Sequence, residues 1–250
     1  MRGSLAAVAR ALAFVMAIVC GALWAAWPGY LRVASGADEV ITTLMGNFIA
    51  SLILIYVTGG ILKDPSGTGQ VMASRPVAEA YRISSEVGLS PAIVGVAVAV
   101  GVLTWVLVNR TAFGVLCGLA GRNPTMVVWQ GARMSQFGLA SFALSGALAG
   151  LAGVVEVLGP NGRLVSGFLP THGFTAILIA LVAGLSVTGA AVVSLFFGGL
   201  AAASLYLPVL AGLPAAAIDI INAAIALFIT ARAAPGLAWL LPRRRATRDA

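Results

Sequence analysis

The 250-residue chain is 60% hydrophobic and 9% charged, with a mean hydropathy of +1.01, far outside the soluble range and suited to lipid as solvent. Its net charge of +7 does not imply nucleic acid, because the arginines edge apolar runs and fill the terminal string Arg243 to Arg248, where they serve topology and contact with anionic lipid headgroups. One histidine, scattered acids and two cysteines at different depths leave no metal cluster, structural disulfide, nucleophile elbow or phosphate loop, so no cofactor and no catalytic residue is expected.

In chain order, the first apolar run is Ala11 to Leu31. Its basic start resembles a leader, but no small-x-small cleavage site follows, and Trp24, Trp27 and Pro28 suit an interfacial edge. Further runs at Val40 to Leu62, Val87 to Asn109 and Met134 to Val155 each read as one helix long enough for a hydrocarbon core of about 30 Å. Leu164 to Ile218 carries no charge and is too long for one crossing. Gly184, Ser186 and Gly189 predict a turn dividing it into helices over Gly173 to Leu185 and Ala190 to Leu207. Leu213 to Thr230 makes a seventh helix. The predicted fold is all-α and polytopic, with about seven transmembrane helices. Residues 1–242 form one membrane domain, and 243–250 a basic tail.

The second helix opens with Asp38 and Glu39 and continues through Thr42, Thr43 and Asn47. Two readings stand open. Asp38 caps the helix, Glu39 sits among headgroups and the threonines bond to their own backbone; or Thr43 and Asn47, four apart on one face, line a polar route with Glu39 at its mouth. Between the third and fourth long runs lies a polar interruption, residues 110–133, with a Gly121-Arg122-Asn123-Pro124 turn opening a short helix that closes on Gly131 and Ala132. Within it, Met126, Val127, Val128 and Trp129 form an exposed stripe, able to fill a hydrophobic groove on a partner or to lie on the membrane surface.

The fourth helix carries Ser145, Ala149 and Gly153 on one stripe, with Gly146 and Gly150 beside it, a pattern for close helix packing. Glu156 near its end is either snorkelling or functional. His172 stands at a loop-to-helix junction, as a helix-end contact or a substrate hydrogen-bonding group. Asp219, with Asn222 on the same face, is an acid inside an apolar helix and must face protein or water.

Counting positives on alternate sides places Arg32, Arg110, Arg122, Arg133, Arg232 and the tail together, against Lys63, Arg75, Arg82 and Arg163. The 110–133 segment and the C-terminus are therefore expected in the cytoplasm. That parity puts the N-terminus outside, in conflict with Arg2 and Arg10.

The string Gly36, Asp38, Glu39, Val40, Ile41, Thr43, Met45, Asn47, Phe48, Ile49, Ala50, the 110–132 segment and SGALAGLAGVVEVLG (residues 145–159) resemble the nucleoside and simple-sugar permeases of ABC importers, from about Val19 to Leu227. The resemblance implies a bacterial inner-membrane permease subunit. Its expected partners are ABC ATPases docking on Gly118 to Ala132, a second permease, identical or different, and an extracytoplasmic substrate-binding protein. Gly121, Arg122, Asn123, Pro124, Met126, Trp129 and Gly131 would then couple to the ATPase. Closure of the ATPases would switch the cavity from outward-facing to inward-facing. Family members usually carry about three further helices before Ala11, so a truncated or unusually short chain is expected. Their docking helix usually has an acidic or small polar residue and an Arg where Thr125, Met126 and Trp129 stand. Branched-chain amino acid permeases share the pattern more loosely, and a secondary transporter using Asp219 and Glu156 is the alternative from another class.

Overall fold

In a computed structural model, residues 2–65, 72–83, 90–131, 133–166, 170–211, 220 and 223–225 are described. Contacts divide the chain into two compact units, Met1–Pro170 and Thr171–Ala250.

Among the described residues, the first unit holds four helices long and apolar enough to cross a membrane. Helix α1, Arg2–Ser35, exceeds its predicted run at both ends and passes through Pro28 rather than ending near it. Proline is tolerated inside membrane helices, but Pro28 has no N–H to give to the Trp24 carbonyl. Gly36, at φ +70°, closes α1 with its N–H on the Arg32 carbonyl at 3.0 Å. Helix α2, Glu39–Gly59, starts at Asp38, whose carboxylate accepts from the Val40 N–H at 2.8 Å. Helix α3 is Pro91–Arg110, with Pro91 in the first turn, where no N–H is needed. The polar interruption contains two helices where one was predicted: α4, Ala112–Arg122, and α5, Pro124–Trp129. Helix α6, Met134–Leu158, is the fourth long span.

One seam organises this unit. Helices α1 and α6 run antiparallel, pairing Ala17 with Gly150, Gly21 with Gly146 and Gly150, Ala25 with Gly146 and Gly29 with Phe142. A methyl group at Gly21 would strike the Gly146 carbonyl, and one at Gly150 the Ala17 carbonyl. Backbones in contact gain dispersion energy without needing a hydrophobic drive, which lipid does not supply. The close contact uses Gly146 and Gly150, not the predicted Ser145, Ala149 and Gly153 stripe: Ser145 and Ala149 are exposed, and Gly153 has open space where a Cβ would stand.

The antiparallel register puts the start of α1 at the end of the pair remote from α5, because α6 begins beside the α5 turn.

At that remote end, the chain between α2 and α3 clasps the segment after α6. Isolated antiparallel bridges join Lys63 to Ser74 and Ala73 to Val165. The Ser74 N–H donates to the Leu164 carbonyl at 2.8 Å, Val77 to Gly162 at 2.7 Å, and Ile83 to Leu158 at 2.9 Å. Gly162, at φ +58°, lies against the Arg82 guanidinium where any side chain would collide. A short 3-10 turn, Glu79–Tyr81, packs on α1.

In the second unit, α7, Pro170–Val182, and α8, Val187–Ala211, are separated by a turn in which Gly184 and Leu185 both take positive φ. The Ser186 hydroxyl accepts from the Gly189 N–H at 3.2 Å, fixing the break where the sequence predicts it. Of the seventh predicted helix, Ile220 and residues 223–225 are helical, and the rest lies outside the described residues.

Candidate functional site

Two places gather the predicted site residues. The first is the α4–α5 turn. Asn123 leaves helical geometry (φ −152°, ψ 98°), and its side-chain oxygen accepts the Thr125 N–H at 3.1 Å, so it caps α5 while Pro124 takes a position that needs no donor. Arg122 ends α4, whose C-terminal dipole favours a cation. Gly131, at φ +77°, ends the turn, its N–H on the Val128 carbonyl at 2.9 Å. Gly121 is helical, with room for a side chain.

The stripe divides in two. Val127 is completely buried, contrary to its predicted exposure, and anchors α5, which packs on α4 and α6. Met126, Val128 and Trp129 remain outside, Trp129 being 86% exposed. Asn123, Thr125, Met126, Trp129 and Gln130 rim an open cavity of about 520 Å³. The Phe113 and Phe137 rings, 5.3 Å apart, tie α4 to the first turn of α6. Burial pushes the Cys117 thiol up from its usual range, so it stands as a neutral thiol near pH 7.

The second place is a cleft of about 290 Å³ among α1, α2 and α6. Thr43 and Asn47 of α2 line it together with Trp24, Trp27, Phe142 and Ser145. Thr43 donates its hydroxyl proton to the Glu39 carbonyl at 2.7 Å, and Thr42 bonds back to Asp38 and Glu39 in the same way. The threonine protons thus serve the helix, while Asn47 faces the cleft. Among the described residues, neither the Asn47 amide nor the Ser145 hydroxyl has a hydrogen-bond partner in the protein. Trp24 also walls a neighbouring apolar cavity of about 390 Å³, lined by Ala50, Ile53, Leu54, Val57 and Leu164.

The remaining predicted route residues are elsewhere. Glu39 forms an ion pair with Arg32 and fastens the α1–α2 corner. Glu156 accepts from the Asn161 amide at 3.1 Å beside the clasp. His172 lies exposed in the first turn of α7, in the other unit. Asp219 and Asn222 fall outside the described residues. Sequence reasoning missed Trp24, Trp27, Phe142 and Ser145. The signal was available in Trp24 and Trp27, three apart on one face and followed by Pro28 in mid-helix, but it read as an interfacial edge. Among the described residues, no group of acids, histidines and cysteines could hold a metal.

The chain is similar to the glucose ABC transporter permease protein TsgB13 of Haloferax volcanii, 34% identical over 230 residues that are 87% of this chain and 60% of that protein. It is also similar to the guanosine ABC transporter permease protein NupP of Bacillus subtilis, at 31% identity over 87% of this chain and 64% of the relative. The nucleoside ABC transporter permease protein NupB of Lactococcus lactis is 26% identical over 88% of this chain and 63% of the relative. The chain thus spans less than two thirds of the length of these relatives. No solved structure matches it. Residues 4–230 match the family described as branched-chain amino acid transport system / permease component, and the chain belongs to that family of multi-pass membrane permeases.

Proposed function

We propose that this chain is a membrane-spanning permease subunit of an ABC importer for nucleosides or simple sugars, in the bacterial inner membrane with its C-terminus in the cytoplasm. ATP hydrolysis belongs to separate ATPase subunits. The observation that carries the reading is the α5 turn: a helix capped by Asn123, anchored by Val127 and presenting Met126, Val128 and Trp129 outward. Apolar side chains on an exposed short helix suit insertion into a groove of a partner protein. Gly121, Arg122, Pro124 and Gly131 shape that turn, and α6 carries its displacement into the membrane. A second permease and an extracytoplasmic binding protein complete the assembly, and lipids cover the remaining apolar faces. The single domain of residues 1–242 and the basic tail 243–250 are retained in this reading. The names of the relatives support nucleosides and sugars over amino acids.

The test is co-purification of the tagged chain from native membranes in mild detergent. An ATPase is expected to accompany the wild type and to be lost from an Asn123→Ala/Pro124→Ala variant that stays monodisperse. A chain recovered without any ATPase sinks the reading.

A further inference from the structure

We infer that the clasp and the apolar groove beside it bind one anionic phospholipid, its phosphate held by Arg75, Arg82 and Arg163 and one acyl chain laid along α2 against Trp24. This goes beyond the importer reading and needs only that the chain sits in a membrane.

Three arginines meet around residues 162–164. The Ala73–Val165 bridge is antiparallel, so two residues further along it Arg75 comes opposite Arg163. Between them, the Ser74 N–H on the Leu164 carbonyl at 2.8 Å and the Leu164 N–H on the Ser74 hydroxyl at 3.0 Å hold that register. Arg82 reaches the same place from the end of the 3-10 turn, its guanidinium against Gly162. Like charges opposite one another on paired strands weaken the pairing. Arg75 and Arg163 are exposed, and among the described residues neither forms an ion pair. The Arg82 Nε is buried without a hydrogen-bond partner. The acids of the clasp leave this cluster unneutralised: Glu156 accepts from Asn161, Asp64 has an interaction of its own, and Glu79 lies on the turn that packs on α1. One anion with several acceptor oxygens removes the repulsion and meets the idle donor together, and a phosphate suits the guanidinium fork.

The groove makes the anion a lipid. Leu164, the residue after Arg163, lines the cavity of about 390 Å³ with Trp24, Ala50, Ile53, Leu54 and Val57, so the cations stand at the rim of a wholly apolar trough. From Val57 to Ala50 the trough follows α2 for ~10 Å at 1.5 Å per residue. Left empty, its walls would forfeit their dispersion contacts on one side. A helix of a second copy is too thick to fill it. A 10 Å length of helix about 10 Å across occupies roughly 800 Å³, twice the space present. A single hydrocarbon chain is slender enough, and lipid surrounds the mouth. In a bilayer the chain gains little from leaving other chains, so the groove sets position while the arginines set preference for a negative headgroup.

Native mass spectrometry of the delipidated full chain in a neutral detergent tests this, with phosphatidylglycerol, phosphatidylcholine of the same chains, and glycerol 3-phosphate as a headgroup without chains. One phosphatidylglycerol is expected to bind, about tenfold tighter than phosphatidylcholine, and glycerol 3-phosphate in large excess to leave it in place. The Arg75→Gln/Arg163→Gln double variant should weaken phosphatidylglycerol roughly 25-fold, about fivefold for each cation lost, and so erase the preference. Leu54→Trp, which fills the groove and leaves the arginines untouched, should weaken both lipids about tenfold or more. Each variant is first checked to be monodisperse and helical, and the double variant, altered only at exposed positions, keeps the test open if Leu54→Trp misfolds. Equal affinity of the wild type for the two lipids, or no lipid bound, overturns the proposal. So does a preference that survives loss of the two arginines. Displacement by glycerol 3-phosphate, or unchanged lipid binding in folded Leu54→Trp, would mean that the arginines hold an anion without its chain, and also sinks it.

Discussion

Helix α1 meets two neighbours in opposite ways. Against α6 it has glycine and alanine, and the backbones touch; against α2 it turns two tryptophans, and a cleft stays open. In lipid, apolar character does not distinguish a contact from a lipid-facing surface, so side-chain size does. Small residues close the first boundary. Large rings facing Thr43 and Asn47 prop the second apart.

The largest way to break this contrast is to fill the closed seam. Gly146→Leu would drive its side chain into the Gly21 carbonyl and the Ala25 methyl, and it should cost roughly 3 kcal/mol or prevent folding, read as loss of a cooperative thermal transition in detergent. Gly29→Ala tests where seam and cleft join. Its methyl would lie 3.0 Å from the Phe142 ring, so a cost of about 1 kcal/mol is expected, read as a fall in Tm in detergent. Asn161→Ala removes the donor to Glu156 and should lower stability by about 1 kcal/mol or less, seen as a small fall in Tm. Gly153→Ala, on the open flank of the same helix, is expected to raise stability by roughly 0.5 kcal/mol, because no atom meets the methyl and the helix gains propensity. The faintest effect is kinetic. Maleimide labelling of Cys117 should keep rising past pH 9, since its raised pKa holds the reactive thiolate back until higher pH than in a free thiol.

The helices themselves were legible in the sequence because hydrocarbon thickness imposes their length, and because Gly184 to Gly189 could do little but turn. Their ends were less so. α1 runs through Pro28 since a membrane helix keeps its remaining ladder bonds where no water competes for them. The Asn123-Pro124 opening of α5 was readable as cap chemistry, but the burial of Val127 depends on α4 and α6 and has no local signature. The same holds for the cleft. Thr43 and Asn47 were identifiable as polar groups in an apolar run, whereas their meeting with Trp24, Trp27 and Ser145 follows from the α1–α6 register, which is set by glycines distant in sequence. The clasp went unread because Ser74 and Leu164, 90 residues apart, pair through the Ser74 N–H on the Leu164 carbonyl and the Leu164 N–H on the Ser74 hydroxyl, a match with no local pattern in the sequence.

Helix α6 spans ~37 Å at 1.5 Å per residue, with the α5 turn at its first residues and the clasp at its last. Gripped midway along the glycine seam, it has the geometry of a seesaw. A tilt of about 10° around that fulcrum would carry each tip by roughly 3 Å in opposite senses, from the length alone. Because Leu158 is bonded to Ile83 and Gly162 to Val77, the far tip cannot move without dragging the chain between α2 and α3 along with it.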